Sequence, residues 1–326
     1  MRRGKGERRG MPGEQGDERL RDYLLLGGAT AFLSVFPFAL MAAPVPLAAL
    51  VYRQGLQAGI FTALAAGVIA SLLAQNPLIL VQVLLALSLG IALGEGLRER
   101  VGATPLVALG TVVALTTTLL LLYVVQSVFG VDTAELLGRF WEEALGAGAG
   151  NSTADPEAAE ELRRTVERQV AQMRLALPAG LVLGSLGITV AAFALVRWLL
   201  GKLGEDLKKV PAMRPFHLWR FPAWVAFAYA GARLVEWLSV RGEFPALLGW
   251  AVVNAIVVAE TLLFVGGVAV AWHFVPRIGA GIKVLVLVVA LLILQFIAAF
   301  ALVALGIADA IWDLRRWRTR TGELST

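Results

Sequence analysis

The chain has 326 residues, 58% of them hydrophobic and only 16% charged, with a formal net charge of +5 and a mean hydropathy of +0.74. Soluble domains carry about 25% charged residues, so this composition points to an integral membrane protein. The basic residues sit beside apolar runs, as orientation signals do, rather than in a nucleic-acid-binding patch. With no cysteine and two histidines, the chain offers no disulfide, no thiolate chemistry and no histidine-rich metal centre.

Residues 1–21 are charged and glycine-rich and read as a disordered basic tail. A membrane span needs about 20 mainly apolar residues. Runs of suitable length are 22–42, 56–75, 77–97, 105–129, 177–200, 222–239, 245–272 and 280–307. A further piece, "APVPLAALVY" at 43–52, is apolar but makes only about half a crossing as a straight helix. Trp198, Trp219, Trp224, Trp237, Trp272, Trp312 and Trp317 fall at or near the ends of these runs, where an indole meets both lipid and water. The expected fold is an all-α, polytopic transmembrane bundle with eight or nine spans and one amphipathic extramembrane segment.

That segment is 130–176, the largest hydrophilic block. Asp155, Pro156 and Glu157 form a helix start of cap, proline and acid. Leu162, Val166, Val170, Met173 and Leu177 then recur at spacings of three and four, the stripe of an amphipathic helix resting on the membrane or on other spans. Small residues recur four apart at Gly55/Gly59, Ala63/Gly67, Gly90/Gly94 and Gly180/Gly184, which lets neighbouring helices approach closely.

Orientation follows from lysines and arginines. With 43–52 counted as a span, the N-tail, Arg53, Arg98, Arg100, 201–221, Arg277 and Lys283 share a side holding 17 basic residues, against 10 on the other. Joining 43–52 to the next run gives eight spans and the same 17 to 10 with other loops inside. The acidic character of 130–176 favours nine spans.

Few polar side chains lie within apolar runs. Asn254 and Glu260 are six residues apart, so they point about 120° apart on one helix and address different neighbours. An ionisable group in mid-span is a functional candidate. The structural reading has Asn254 bonding an adjacent helix and Glu260 pairing with Arg233, which could equally pair with Glu236 three residues on. Gln82 and Gln126 are further intramembrane amides, in the outer half of the nine-span arrangement. These four are the substrate-binding candidates. The interfacial loop 201–221 contains Arg214, His217, Trp219 and Arg220, read as membrane anchors or as a docking site for a partner subunit. Asp309 and Asp313 are expected to end the last helix at the surface, with Arg315, Arg316, Arg318 and Arg320 suited to anionic head groups.

The pattern P-x-P…Y-R-x-G-L-x-A-G at 44–59, Asn254 with the following G-G-V-A-V, and the ending "LGIADAIWDLRR" resemble the YybS-like family of bacterial multi-pass membrane proteins over most of 22–316. That family is functionally uncharacterised. Its first six helices are distantly similar to the S components of energy-coupling-factor transporters, which import vitamins and metal ions. The resemblance implies an S-component-like bundle at 22–200 and a C-terminal three-helix membrane region at 222–314, followed by a basic tail at 315–326. It also implies a small solute and a transmembrane coupling protein carrying ATPases. The chain has no "HExxH", "GxxxxGK[ST]" or "GxSxG". The expectation is therefore a non-enzymatic protein of the bacterial cytoplasmic membrane, without cofactor or metal site. It binds a solute or, alternatively, acts structurally or as a regulator through partner contacts at 201–222 or 130–176. A proton-coupled carrier using Glu260 is a third reading.

Overall fold

The computed structural model describes residues 20–36, 41–76, 78–130, 156–239, 245–274 and 297–315, and these are helical or form turns between helices. They fall into two compact units, one within 1–133 and 181–213, the other within 134–180 and 214–326.

In the first unit, a π-helical turn at Tyr23–Gly27 leads into α1 (Gly28–Val35). Four helices follow: α2 (Pro44–Gln54), α3 (Leu56–Ala74), α4 (Leu78–Arg98) and α5 (Ala103–Phe129). The later part of α6 (Pro156–Lys202) completes it. Pro44 and Pro46 open α2 instead of breaking a longer helix, because backbone N–H groups in a first turn have no helical acceptor to lose. Gly55 then adopts φ +94°, open to glycine at little cost, and turns the chain into α3. With Leu47, Ala48, Ala49, Leu50 and Val51 all at 0% exposure, α2 faces protein throughout. At about 16 Å it is too short to cross a bilayer. Its partner is α4: a Cβ on Gly90 would lie 2.6 Å from the Pro44 carbonyl oxygen, and one on Gly94 would lie 2.6 Å from that of Ala48. The spacing Gly90/Gly94 is thus a backbone-to-backbone contact, as expected of small residues four apart. Ser88 and Thr117 join α4 to α5 through their hydroxyls at 2.9 Å.

One end of this unit is polar. Arg53 is ion-paired with Asp22 and, at 3.1 Å, with Glu205, while Gln54 Nε2 donates to Asp22 at 2.6 Å. The residue before the first helical turn and the last turn of α2 therefore lie together, so 22–54 leaves this end and returns to it. Arg98 approaches Gly55 at the same end.

In the second unit, the first part of α6 is joined by a 3-10 turn at Phe216–Leu218 and by α7 (Ala223–Ser239), α8 (Ala246–Phe274) and α9 (Ile297–Trp312). Val225 and Ala226 of α7, Ala259 and Leu263 of α8, and Val303 and Ala310 of α9 form its core. The main chains of α8 and α9 touch: a Cβ on Gly267 would run into the Leu302 carbonyl, and one on Gly306 into that of Leu263.

Several expectations are corrected. Among the described residues five helices are long and apolar enough to cross a membrane, Leu56–Ala74, Ile79–Arg98, Ala103–Val128, Val170–Lys202 and Leu247–Phe274. The count of eight or nine spans is not confirmed among the described residues: α2 and α7 have 11 and 17 residues, and the described part of α9 has 16. Parts of the runs 22–42 and 280–307, and the block from 131 to Asp155, lie outside the described residues. The amphipathic stripe is not a separate surface helix but continues through Pro178 into the following span as one 47-residue helix. Val170 is buried, Leu177 half-buried and Met173 exposed, so the stripe is covered only in part. Gly180 and Gly184 have no described neighbour within 4 Å of an added Cβ. Both basic-residue counts place the C-tail opposite 201–221, whereas Arg315 donates to the carbonyls of His217 and Trp219.

Candidate functional site: a charged triad among apolar helices

Glu260 occupies the middle of α8, a helix long and apolar enough to cross a membrane. Its Oε2 accepts from Arg233 Nη2 of α7 at 2.7 Å. Arg233 also reaches Glu236 Oε2 at 2.9 Å through Nη1 and the Tyr229 hydroxyl at 3.3 Å through Nε, with its guanidinium 5.3 Å from the centre of that ring. The spacings 229, 233 and 236 place all three α7 side chains on one helical face. Both pairings offered by the sequence thus occur at once, in a fork held by one arginine. Its planar array of donors suits two carboxylates. The three charged side chains keep 42–44% of their surface exposed. One guanidinium and two carboxylates leave a formal charge of −1, which an apolar surrounding tolerates only with a proton or a second cation alongside.

Asn254 does different work. Its Oδ1 accepts from the Ala179 N–H at 2.9 Å, and its Nδ2 donates to the Leu175 carbonyl and to the Trp250 carbonyl, each at 2.8 Å. Asn254 addresses α6 and Glu260 addresses α7, the divergence that six-residue spacing requires. Gln82 lies half-buried near the start of α4, and Gln126 is exposed near the end of α5. The α4–α5 hairpin turns at 99–102, so both glutamines sit at the end of the first unit opposite Arg98 and Arg100.

The segment 214–220 folds onto its own unit. Trp219 Nε1 donates to the Arg214 carbonyl at 2.8 Å. Arg220 donates from Nη1 to Asp313 Oδ2 at 2.9 Å, and from Nε to the Asp309 carbonyl at 3.3 Å, satisfying an acceptor at the end of α9. The rings of His217 and His273 stack at 6.1 Å, and the Arg214 side chain is exposed. Asp309 is only 2% exposed and pairs with Arg315 at 3.0 Å, so Arg315 turns inward instead of meeting head groups. The sequence puts this pair at an expected surface, and the one hint of its pairing is that Arg315 follows Asp309 by six residues, just past the end of α9. Among the described residues no three histidine, aspartate or glutamate side chains gather as metal ligands.

Residues 23–310 match a family model described as "Predicted membrane protein (DUF2232)". No curated protein matches the chain, and no solved structure does.

Proposed function

The chain belongs to the DUF2232 family of predicted membrane proteins, and on that premise we propose that this integral membrane protein is a solute-binding, non-ATPase subunit of the bacterial cytoplasmic membrane, similar to an energy-coupling-factor S component. The observation that carries the reading is the helix content of the first unit. Helices α1 to α5 and the later part of α6 make six, with the short 43–52 piece a helix in its own right. Gln82 and Gln126 lie at the end away from the charged face, where amides could hold a polar solute. The chain carries no nucleotide-binding motif, so energy for uptake comes from a separate transmembrane partner with ATPases.

The test is a thermal-shift panel of vitamins and divalent metal salts on the full chain in lipid nanodiscs, together with identification of co-purifying ATPases. Saturation at a hundred times Kd stabilises a protein by about 2.7 kcal/mol, a shift readily seen. A stabilising solute whose effect is lost in Gln82→Ala or Gln126→Ala supports the reading. No shift across the panel and no associated ATPase would overturn it. The alternative, a structural or regulatory protein working through docking at 214–220, has less behind it. Trp219 and Arg220 are engaged within their own unit, although Arg214 and Arg220 are both exposed.

A further inference from the structure

An open cavity of about 620 Å3 lies at the polar end of the first unit, and Arg100, Arg197, Lys208 and Lys209 are among its lining residues, with no carboxylate in the wall among the described residues. The fold brings them together for local reasons. Arg100 follows the last turn of α4 in a left-handed conformation, φ +59°. Arg197, near the end of α6, donates through Nη1 to the Val210 and Pro211 carbonyls and so folds 203–213 back over the helix ends. Asp206 accepts from the Lys208 N–H at 3.1 Å, an Asx turn that sets the two lysines side by side. Of the nearby acids Glu205 pairs with Arg53, while Asp206 keeps its charge as it accepts the turn's hydrogen bond. Four cations offset by one carboxylate leave an excess of positive charge that favours an anion among them.

We propose that this cavity binds a phosphate-bearing anion at the membrane boundary. Guanidinium and ammonium groups give a phosphate several charge-assisted hydrogen bonds. The cavity stands where the apolar stretches Ile79–Arg98 and Val170–Lys202 end, the level at which lipid phosphates lie. Leu207 and Pro211 add apolar wall beside the charges, as the glycerol and first acyl carbons of a lipid require. The inference is independent of any transported solute.

The same chemistry is offered by an anionic lipid headgroup and by a soluble phosphate, and one experiment separates them. The full chain and its Lys208→Gln/Lys209→Gln variant are placed in phosphatidylcholine nanodiscs and titrated either with phosphatidylglycerol or with inorganic phosphate, following thermal stability. Both lysines are exposed, so the variant is expected to fold, and its unfolding temperature in phosphatidylcholine alone verifies that. Stabilisation by phosphatidylglycerol that is weakened about tenfold or more in the variant, and absent with phosphate, assigns the site to a lipid. Stabilisation by phosphate with the same loss assigns it to a soluble anion. Equal responses of the two proteins, or none in either, overturn the proposal.

Discussion

The carboxamide of Asn254 stands at the place where Pro178 interrupts α6. A proline has no N–H and its ring crowds the carbonyl four residues earlier, which disturbs the adjoining rungs of the helix. The next rung joins the Ala179 N–H to the Leu175 carbonyl, and Asn254 accepts from the first and donates to the second. Asn254→Ala removes both bonds. Polar contacts between membrane helices average about 0.6 kcal/mol and reach about 1.7, so a loss near the upper value is expected. A Pro178→Ala background should shrink that loss, since a regular helix supplies its own partners. Equal losses in the two backgrounds of a double-mutant cycle, measured by unfolding in detergent, would refute the repair.

Arg315 holds the end of α9 against the 216–220 turn. It binds the carbonyls of His217 and Trp219 and pairs with Asp309, which is 2% exposed. Arg315→Met strands a buried carboxylate, and breaking such a pair costs about 3–5 kcal/mol. Asp309→Leu added to Arg315→Met removes the stranded charge and should recover most of the loss. Circular-dichroism melts of the unsubstituted protein and the two variants decide it, and a double variant no better than the single would count against the pairing.

The same contacts settle which helix ends belong together. Asp22 lies with Arg53, and Arg315 lies with 217–219. In the first unit Arg53 also pairs with Glu205. The absence of native cysteine allows single-cysteine labelling in intact cells, where an impermeant reagent should treat positions 53 and 205 alike, and positions 217 and 315 alike; opposite accessibility within either pair would contradict the contacts.

Close packing of α2 on α4 makes a further forecast. A side chain at Gly94 meets the Ala48 carbonyl at 2.6 Å and its Cα at 3.0 Å, and main chain cannot swing aside as a side chain can. Gly94→Val is expected to cost more than the 1–3 kcal/mol typical of an overpacked core. Gly180→Val, with no described atom within 4 Å of the added Cβ, should change stability by less than about 1 kcal/mol. Comparable melting temperatures for the two variants would contradict this asymmetry.

Much of this was legible from the residues, because a hydrophobic run declares a lipid-facing or buried helix without reference to the rest of the chain. The runs at 56–75, 77–97 and 105–129 agree with α3, α4 and α5 to within a few residues. The bonds of Asn254, and the choice of Arg233 for Glu260, also follow from helix geometry, since each polar side chain in an apolar run must find a partner. Continuity through Pro178 was hidden, for a proline reads locally as a boundary, and only Asn254, 76 residues on, supplies what the kink lacks. Burial of Asp309 was equally hidden, because an Asp-rich, Arg-rich ending looks like a solvated one until the chain folds back on 217–219. The return of 22–54 depended on the pairing of Asp22 with Arg53, which no periodicity announces.

The triad Arg233–Glu236–Glu260 offers the sharpest contrast between neighbouring substitutions. With both carboxylates ionised, one arginine serves two negative groups, and the surplus charge has to be offset from outside the trio. Glu260→Gln keeps an acceptor for Arg233 Nη2 while leaving a single balanced pair with Glu236. Stability in nanodiscs should therefore change by no more than about 1 kcal/mol. Arg233→Gln leaves two carboxylates in an apolar setting without their counter-ion, and a charged group at mid-span costs about 2.5–3.5 kcal/mol on insertion scales. That variant should be the weaker of the two. If uptake of a solute is driven by protons through Glu260, Glu260→Gln abolishes it at normal expression levels. Melting curves run beside a transport assay separate a purely structural triad from a proton-carrying one: a stable, fully active Glu260→Gln protein would remove Glu260 from any coupling role.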